Sequence, residues 1–179
     1  EQNQAAGYPS GVSRRVNRME RNPEADHAAL SKQRTYLLNV GYSALFVALI
    51  AVGSYIVIPL PFTPVPIALQ SAFVLLAGLL LRPVWAVASV GVYLLLGSIG
   101  LPLFAGGSGG VAHLVGPTGG YLIGYVPAVV VTSLIASGSV VRLVSAALLG
   151  SVAIYALGVP WLATVQDLPV TQAVALGLL

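Results

Sequence analysis

The sequence predicts an all-α, polytopic membrane protein, and three observations lead there. Hydrophobic residues make up 57% of the 179 and charged residues only 7%, with a mean hydropathy of +0.91; soluble domains carry about 25% charged residues. Ten of the thirteen charges fall in residues 1–34, which leaves Arg82, Arg142 and Asp167 for everything after. Three charges cannot cover a soluble domain of that size. The rest of the chain is a series of long apolar runs, separated by breaks rich in proline and glycine.

Residues 1–35 read as a polar, solvated and disordered cytoplasmic tail, with Arg14, Arg15, Arg18, Arg21, Lys32 and Arg34 set against Glu1, Glu20, Glu24 and Asp26. The apolar run behind it is too long for the core of a signal peptide. The first span is expected over 36–58, and at about 1.5 Å per residue it exceeds the roughly 30 Å hydrocarbon core. Gly41, Ala44, Ala48 and Ala51 recur three or four positions apart along it. Ala44 and Ala48 form a small-xxx-small pair, suited either to docking another membrane helix or to packing within the chain.

The segment 59–66, PLPFTPVP, has four prolines in eight positions and predicts a stiff, extended connector. A second span is expected over 64–81, with Gln70 one turn inside it. An amide in hydrocarbon needs partners, either a neighbouring helix backbone or a ligand in a cavity below the proline loop. Arg82-Pro83 ends this span, and a third is expected over 84–99, with Tyr93 its polar group.

Gly100 to Tyr121 holds eight glycines and two prolines in 22 residues. A helix does not cross such a stretch cheaply, since each interior Gly costs about 0.5–1 kcal/mol and Pro about 3. Irregular backbone beside apolar spans needs partners for its polar groups. The stretch is either a merely flexible loop or one that lets backbone approach a ligand. A carboxylate is expected to settle at the helix start near Gly119 and Gly120, helped by His113 if that residue is protonated. A fourth span is expected over 119–137 and a fifth over 143–158. A connector over 159–169 follows and holds Trp161 at an interface position. An incomplete sixth helix is expected from 170.

Alternation of five spans puts Arg82, Arg142 and the tail on one side, which the positive-inside rule makes cytoplasmic. The proline loop, the glycine-rich stretch and the 159–169 connector then meet at one outer mouth. No catalytic set can be assembled. The two histidines are His27 and His113, there is no cysteine, and Asp167 is the one acid beyond the tail. GGSGGVAH lacks the lysine and Ser/Thr of a phosphate-binding loop, so any energy input comes from another protein.

Three segments, PLPFTPVPIALQ (59–70), GLPLFAGGSGG (100–110) and GPTGGYLIGY (116–125), resemble in order and spacing the BioY family, the biotin-binding S components of energy-coupling factor (ECF) transporters. The likeness runs from about residue 38 to 179. It implies a six-helix S-component bundle that captures biotin, the transported ligand, from outside with high affinity. The vitamin is then delivered with a membrane-embedded coupling subunit and two cytosolic ATPases, with no cofactor, metal or nucleic acid involved. By the same likeness Ala44 and Ala48 contact the coupling subunit, and Gln70, Gly106, Gly107, Gly109, Gly110, Thr118 and Tyr121 belong to the pocket. His113 as a reader of the ligand carboxylate rests on its chemistry alone. The family's sixth helix opens with a Pro-Gly-Asp motif and a lysine. The chain stops before that motif, and Asp167 does not replace its acid, so the site is expected to be incomplete. An S component for another vitamin and a ligand-free structural membrane protein are the alternative readings.

Overall fold

The computed structural model describes residues 23–58 and 67–177, so the proline connector and most of the charged tail lie outside the described residues. The chain divides into residues 1–38 and residues 39–179, and the packing below belongs to the second part.

Helix α1 spans Pro23–Tyr55 and therefore begins well before the expected Tyr36, so residues 23–35 of the expected disordered tail are helical. Proline suits a first helical position, where its missing N–H is not needed. Good helix formers follow at Ala28, Ala29, Leu30, Lys32, Gln33 and Arg34. Farther along, Ser43, Phe46, Ile50 and Ser54 are buried at helical spacing, and Ser43 Oγ donates to the Trp85 carbonyl at 3.2 Å.

The helix stops before Ile58. Strand β1 (Val57–Ile58) pairs antiparallel with β2 (Ile67–Ala68), in the register Val57 to Ala68 and Ile58 to Ile67. The two ends of the proline connector are thus clamped together. Helix α2 runs Gln70–Leu80 and α3 runs Pro83–Ser98, with Pro83 again at a first position. Within the glycine-rich stretch lie a 3₁₀ turn, Ala105–Gly107, and a five-residue helix α4, Val111–Val115. Helix α5 is Gly119–Ile135, α6 is Val140–Val165 and α7 is Val170–Gly177.

Two differences from the expected spans have local causes. Helix α6 starts early because Ser139 caps it: its side chain accepts from the Arg142 N–H, while Arg142 Nη1 donates to Ser137 Oγ at 3.0 Å. The same helix runs through Pro160 to Val165 instead of ending near Gly158, so Trp161 sits on a helix and not in a connector. Proline is tolerated inside membrane helices, where neighbours re-satisfy the freed carbonyl.

By length and hydropathy α1 and α6 can cross a bilayer, whereas α2, α3 and α5 have 11, 16 and 17 residues. At about 1.5 Å per residue these three fall short of the roughly 30 Å core. The β1–β2 ladder and the folded glycine-rich stretch lie at their ends. Non-helical backbone at that depth is tolerated only where protein buries it or it lines a cavity.

Helix α5 is the hub. It packs on α2, α3, α4 and, most extensively, α6. The close approach to α6 rests on a Gly120-xxx-Gly124 pair. A Cβ on Gly124 would stand 3.0 Å from the Ile154 carbonyl oxygen, and one on Gly120 would collide with Trp161 Cβ and lie 2.8 Å from the Leu157 carbonyl oxygen. From α6, Gly158 receives the Tyr121 ring in turn. Gly120→Val is therefore expected to lower stability by roughly 1–3 kcal/mol through overpacking against backbone, read as a reduced thermal midpoint of the detergent-purified protein.

Candidate functional site

The folded glycine-rich stretch is held by its carbonyls. Tyr93 Oη donates to the Leu103 carbonyl at 2.9 Å, Tyr55 Oη donates to that of Pro102, and Trp161 Nε1 donates to that of Gly116 at 2.9 Å. The Gly110 N–H reaches back to the Gly97 carbonyl at 2.7 Å, and Phe104 and Ser108 close a small bridge through the Phe104 N–H at 2.8 Å. Phe104 is fully buried. It packs edge-on against Tyr93 with centroids 5.8 Å apart and stacks on His113 at 5.6 Å and 22°.

Beneath this stretch lies a cavity of about 120 Å³. Gln70, Ser71 and Leu75 of α2 form one wall, and Ser151, Ile154 and Tyr155 of α6 another. Helix α5 contributes Tyr121, Leu122 and Tyr125, the loop contributes Ala105, His113 and Thr118, and α7 closes a side with Leu176 and Gly177. No charged side chain is among the lining residues. Among the described residues there is also no group of three or more side chains suited to a metal.

Gln70 is the polar group under most tension. It is 1% exposed, and its Nε2 has no hydrogen-bond partner among the described residues. The Gln70 side chain interacts with the Tyr93 hydroxyl, whose proton goes to Leu103 and whose oxygen therefore faces the amide as an acceptor, but Nε2 does not reach hydrogen-bond geometry with it. An unsatisfied buried donor costs about 1–3 kcal/mol, and here it sits at the wall of the cavity.

His113 is half-buried, with Nε2 at 3.3 Å from Ser108 Oγ and 3.2 Å from Thr118 Oγ1. Ser108 Oγ donates its proton to the Ala105 carbonyl at 2.8 Å, so it faces the ring as an acceptor. That favours a proton on Nε2 and leaves Nδ1 as the basic nitrogen. Burial holds the imidazole below its ordinary pKa, so in the ligand-free protein it is neutral at neutral pH.

Of the expected site residues, Gln70, His113, Thr118 and Tyr121 line the cavity, whereas Gly106, Gly107, Gly109 and Gly110 do not. The loop residue at the wall is Ala105. The glycines are needed by the backbone: φ is 72° at Gly106, 75° at Gly107 and 97° at Gly110, and a Cβ on Gly109 would collide with the Leu101 carbonyl. The expected carboxylate seat at Gly119 and Gly120 lies outside the lining of this cavity. The Gly119 N–H donates to Gly116, a Cβ there would overlap the Leu114 carbonyl, and neither glycine lines the cavity.

Sequence reasoning missed Ser71, Tyr125, Ser151 and Tyr155. The signal was present, since Ser151 and Tyr155 stand one turn apart in the apolar part of that helix, between Ser145 and Thr164. It also missed the closure by α7, where Tyr121 Oη donates to the Gly177 carbonyl at 3.1 Å.

Residues 25–179 match the BioY family. Among curated relatives, a probable biotin transporter BioY of Pyrococcus horikoshii is 47% identical over 124 residues, 69% of this chain and 74% of its own. The biotin transporter BioY of Thermotoga maritima is 44% identical over 119 residues, 65% of this chain and 69% of its own. A probable biotin transporter BioY of Bacillus subtilis is 40% identical over 148 residues, 79% and 80% of the two chains. The crystal structure of an S-component for biotin from an ECF-type ABC transporter superposes with a TM-score of 0.75 at 31% identity, covering 81% of this chain and 82% of that one.

The neutral His113 has a measurable consequence. Its folded pKa lies below the unfolded value of about 6.5, so the unfolded state binds the proton first as pH falls. Stability of the ligand-free protein is expected to be flat above that value and to decline below it until the folded pKa is passed. The decline should be smaller in His113→Gln, as read from thermal midpoints between pH 5 and 8.

Proposed function

Because the chain belongs to the BioY family, we propose that it is the substrate-binding subunit of an ECF-type transporter, taking up biotin across the cytoplasmic membrane. It binds and delivers, and is not an enzyme. The observation that carries this reading is the uncharged cavity with the unpartnered Gln70 amide at its wall. Biotin matches that chemistry: a flat ureido group with one carbonyl and two N–H groups, a thioether ring, and an aliphatic arm ending in a carboxylate. Gln70 Nε2 donates to the ureido oxygen, which ends its isolation. The hydroxyls of Ser71, Ser151 and Tyr155 accept from the ureido N–H groups. Leu75, Leu122, Ile154 and Leu176 enclose the ring. Gly106, Gly107, Gly109 and Gly110 act as the glycines that let the lid fold and bring Ala105 and His113 to the ligand.

Delivery needs energy that this chain has no nucleotide motif to supply. It associates with a membrane-embedded coupling subunit that is driven by two cytosolic ATPases. The α1 face bearing Gly41, Ala44 and Ala48 is exposed, and small residues there let another membrane helix approach closely. Arg82, Arg142 and the basic N-terminal residues then face the cytoplasm, with the N-terminus on that side. The cavity opens on the other.

Titration of the purified full chain with biotin is expected to give a dissociation constant below micromolar; no binding in that range would overturn the reading. Gln70→Leu should weaken binding roughly tenfold, the loss of one buried hydrogen bond, in a protein that remains folded. Ala44→Leu with Ala48→Leu should abolish co-purification with the coupling subunit and leave biotin capture intact. The reverse pattern would move the docking face elsewhere.

A further inference from the structure

Of the three side chains that pin the folded glycine-rich stretch, one also meets a side chain of the cavity wall. Tyr55, Tyr93 and Trp161 donate to the carbonyls of Pro102, Leu103 and Gly116, and none of the three lines the cavity. The Tyr93 hydroxyl also faces the Gln70 side chain, and Gln70 Nε2 is a buried donor with no hydrogen-bond partner among the described residues. Resting on the reading that Gln70 donates to the ureido oxygen of biotin, we propose that Tyr93 is a positioning residue: with ligand bound, it accepts the second Nε2 proton of Gln70 and links that amide to the lid through Leu103.

Counting donors and acceptors leads to this arrangement. A carboxamide nitrogen carries two protons, and a single ligand oxygen takes one of them. The other needs an acceptor, because a buried unpaired donor is costly. Tyr93 Oη is suited to the role, since its own proton is committed at 2.9 Å to the Leu103 carbonyl, a group that only accepts. The chain then runs in one sense, from Nε2–H to Tyr93 Oη and from Tyr93 O–H to the lid backbone, each bond polarising the next. In the free protein Nε2 stands outside hydrogen-bond geometry with that oxygen. The chain is completed as the amide turns to the ligand, and no proton changes owner.

Packing fixes Tyr93 in this position. Its ring is fully buried on α3 and meets Phe104 edge-on, with centroids 5.8 Å apart. One turn farther along, Gly97 leaves room for the Phe104 ring, where a Cβ would collide, and its carbonyl accepts from the Gly110 N–H at 2.7 Å. Helix α3 is therefore the base on which this stretch rests, and Tyr93 is the point at which that base reaches Gln70. The other two pins rest on glycines, Tyr55 on Gly107 and Trp161 on Gly120.

The test is a double-mutant cycle on biotin binding to the full chain, read by equilibrium titration and by the dissociation rate of labelled biotin. Tyr93→Phe keeps the ring and removes the hydroxyl. It is expected to weaken binding roughly tenfold, mostly through faster dissociation. In the Gln70→Leu background the same change should cost no more than about twofold, because the two residues act as one unit. Tyr55→Phe, which removes a different pin, should weaken binding by the same factor in both backgrounds. Equal factors for Tyr93→Phe with and without Gln70, or coupling of Tyr55 to Gln70 as strong as that of Tyr93, would overturn the assignment of Tyr93 and leave biotin capture standing. A second measurement needs no change at Tyr93: in the nuclear magnetic resonance spectrum of the chain labelled with ¹⁵N-glutamine, both Gln70 Nε2 protons, identified by their loss in Gln70→Leu, should move downfield when biotin is added. Movement of one proton alone would also overturn the assignment. A parent chain that binds no biotin would overturn the reading of the ligand and this proposal together.

Discussion

The structure depends on satisfying the carbonyls of one irregular segment. Twenty-two glycine- and proline-rich residues lie between apolar helices, where an unpaired backbone group is expensive. Three aromatic donors meet that need from three directions: Tyr55 at the end of α1, Tyr93 inside α3 and Trp161 on α6. Each brings an apolar ring that packs and a polar tip that bonds. The stretch is therefore a folded lid pinned to the helices. Its Phe104 plugs the core, and its His113 reaches the cavity below.

The short helices follow from the same constraint. With the lid and the β1–β2 ladder taking up part of the thickness, α2, α3 and α5 need not run the full width. Gln70 thus stands at the first position of α2, at the cavity wall instead of within a helix–helix seam. Of the two surroundings open to the Gln70 amide in the sequence, a neighbouring backbone or a cavity, the residue lines the cavity and its nitrogen has no hydrogen-bond partner among the described residues.

Glycine serves two separate purposes here, and one-dimensional reading merges them. In the lid, Gly106, Gly107 and Gly110 hold left-handed backbone and point nothing into the cavity. On α5, Gly120 and Gly124 bring a second helix to backbone contact. The small-residue pair that drew attention in the sequence, Ala44 and Ala48, is exposed, while the pair that builds the interior lay in GPTGGYLIGY. Both patterns have the same spacing, and spacing alone does not tell an inner face from an outer one.

Taken by itself, the sequence determined the class, the irregularity of Gly100 to Tyr121, the absence of a catalytic set and the family. These follow from composition, from backbone preference and from ordered motifs, all of which are local. Tertiary structure decided which polar groups converge. Gln70, His113, Tyr121, Ser151 and Tyr155 come from α2, the lid, α5 and α6, and no spacing along the chain relates them. It also decided that Pro160 does not end α6, whereas the continuation of α1 back to Pro23 runs through exposed residues of high helix propensity. At Pro160, packing of α6 against α5 outweighed a local preference of a few kcal/mol at most, and those contacts exist only once the helices are assembled.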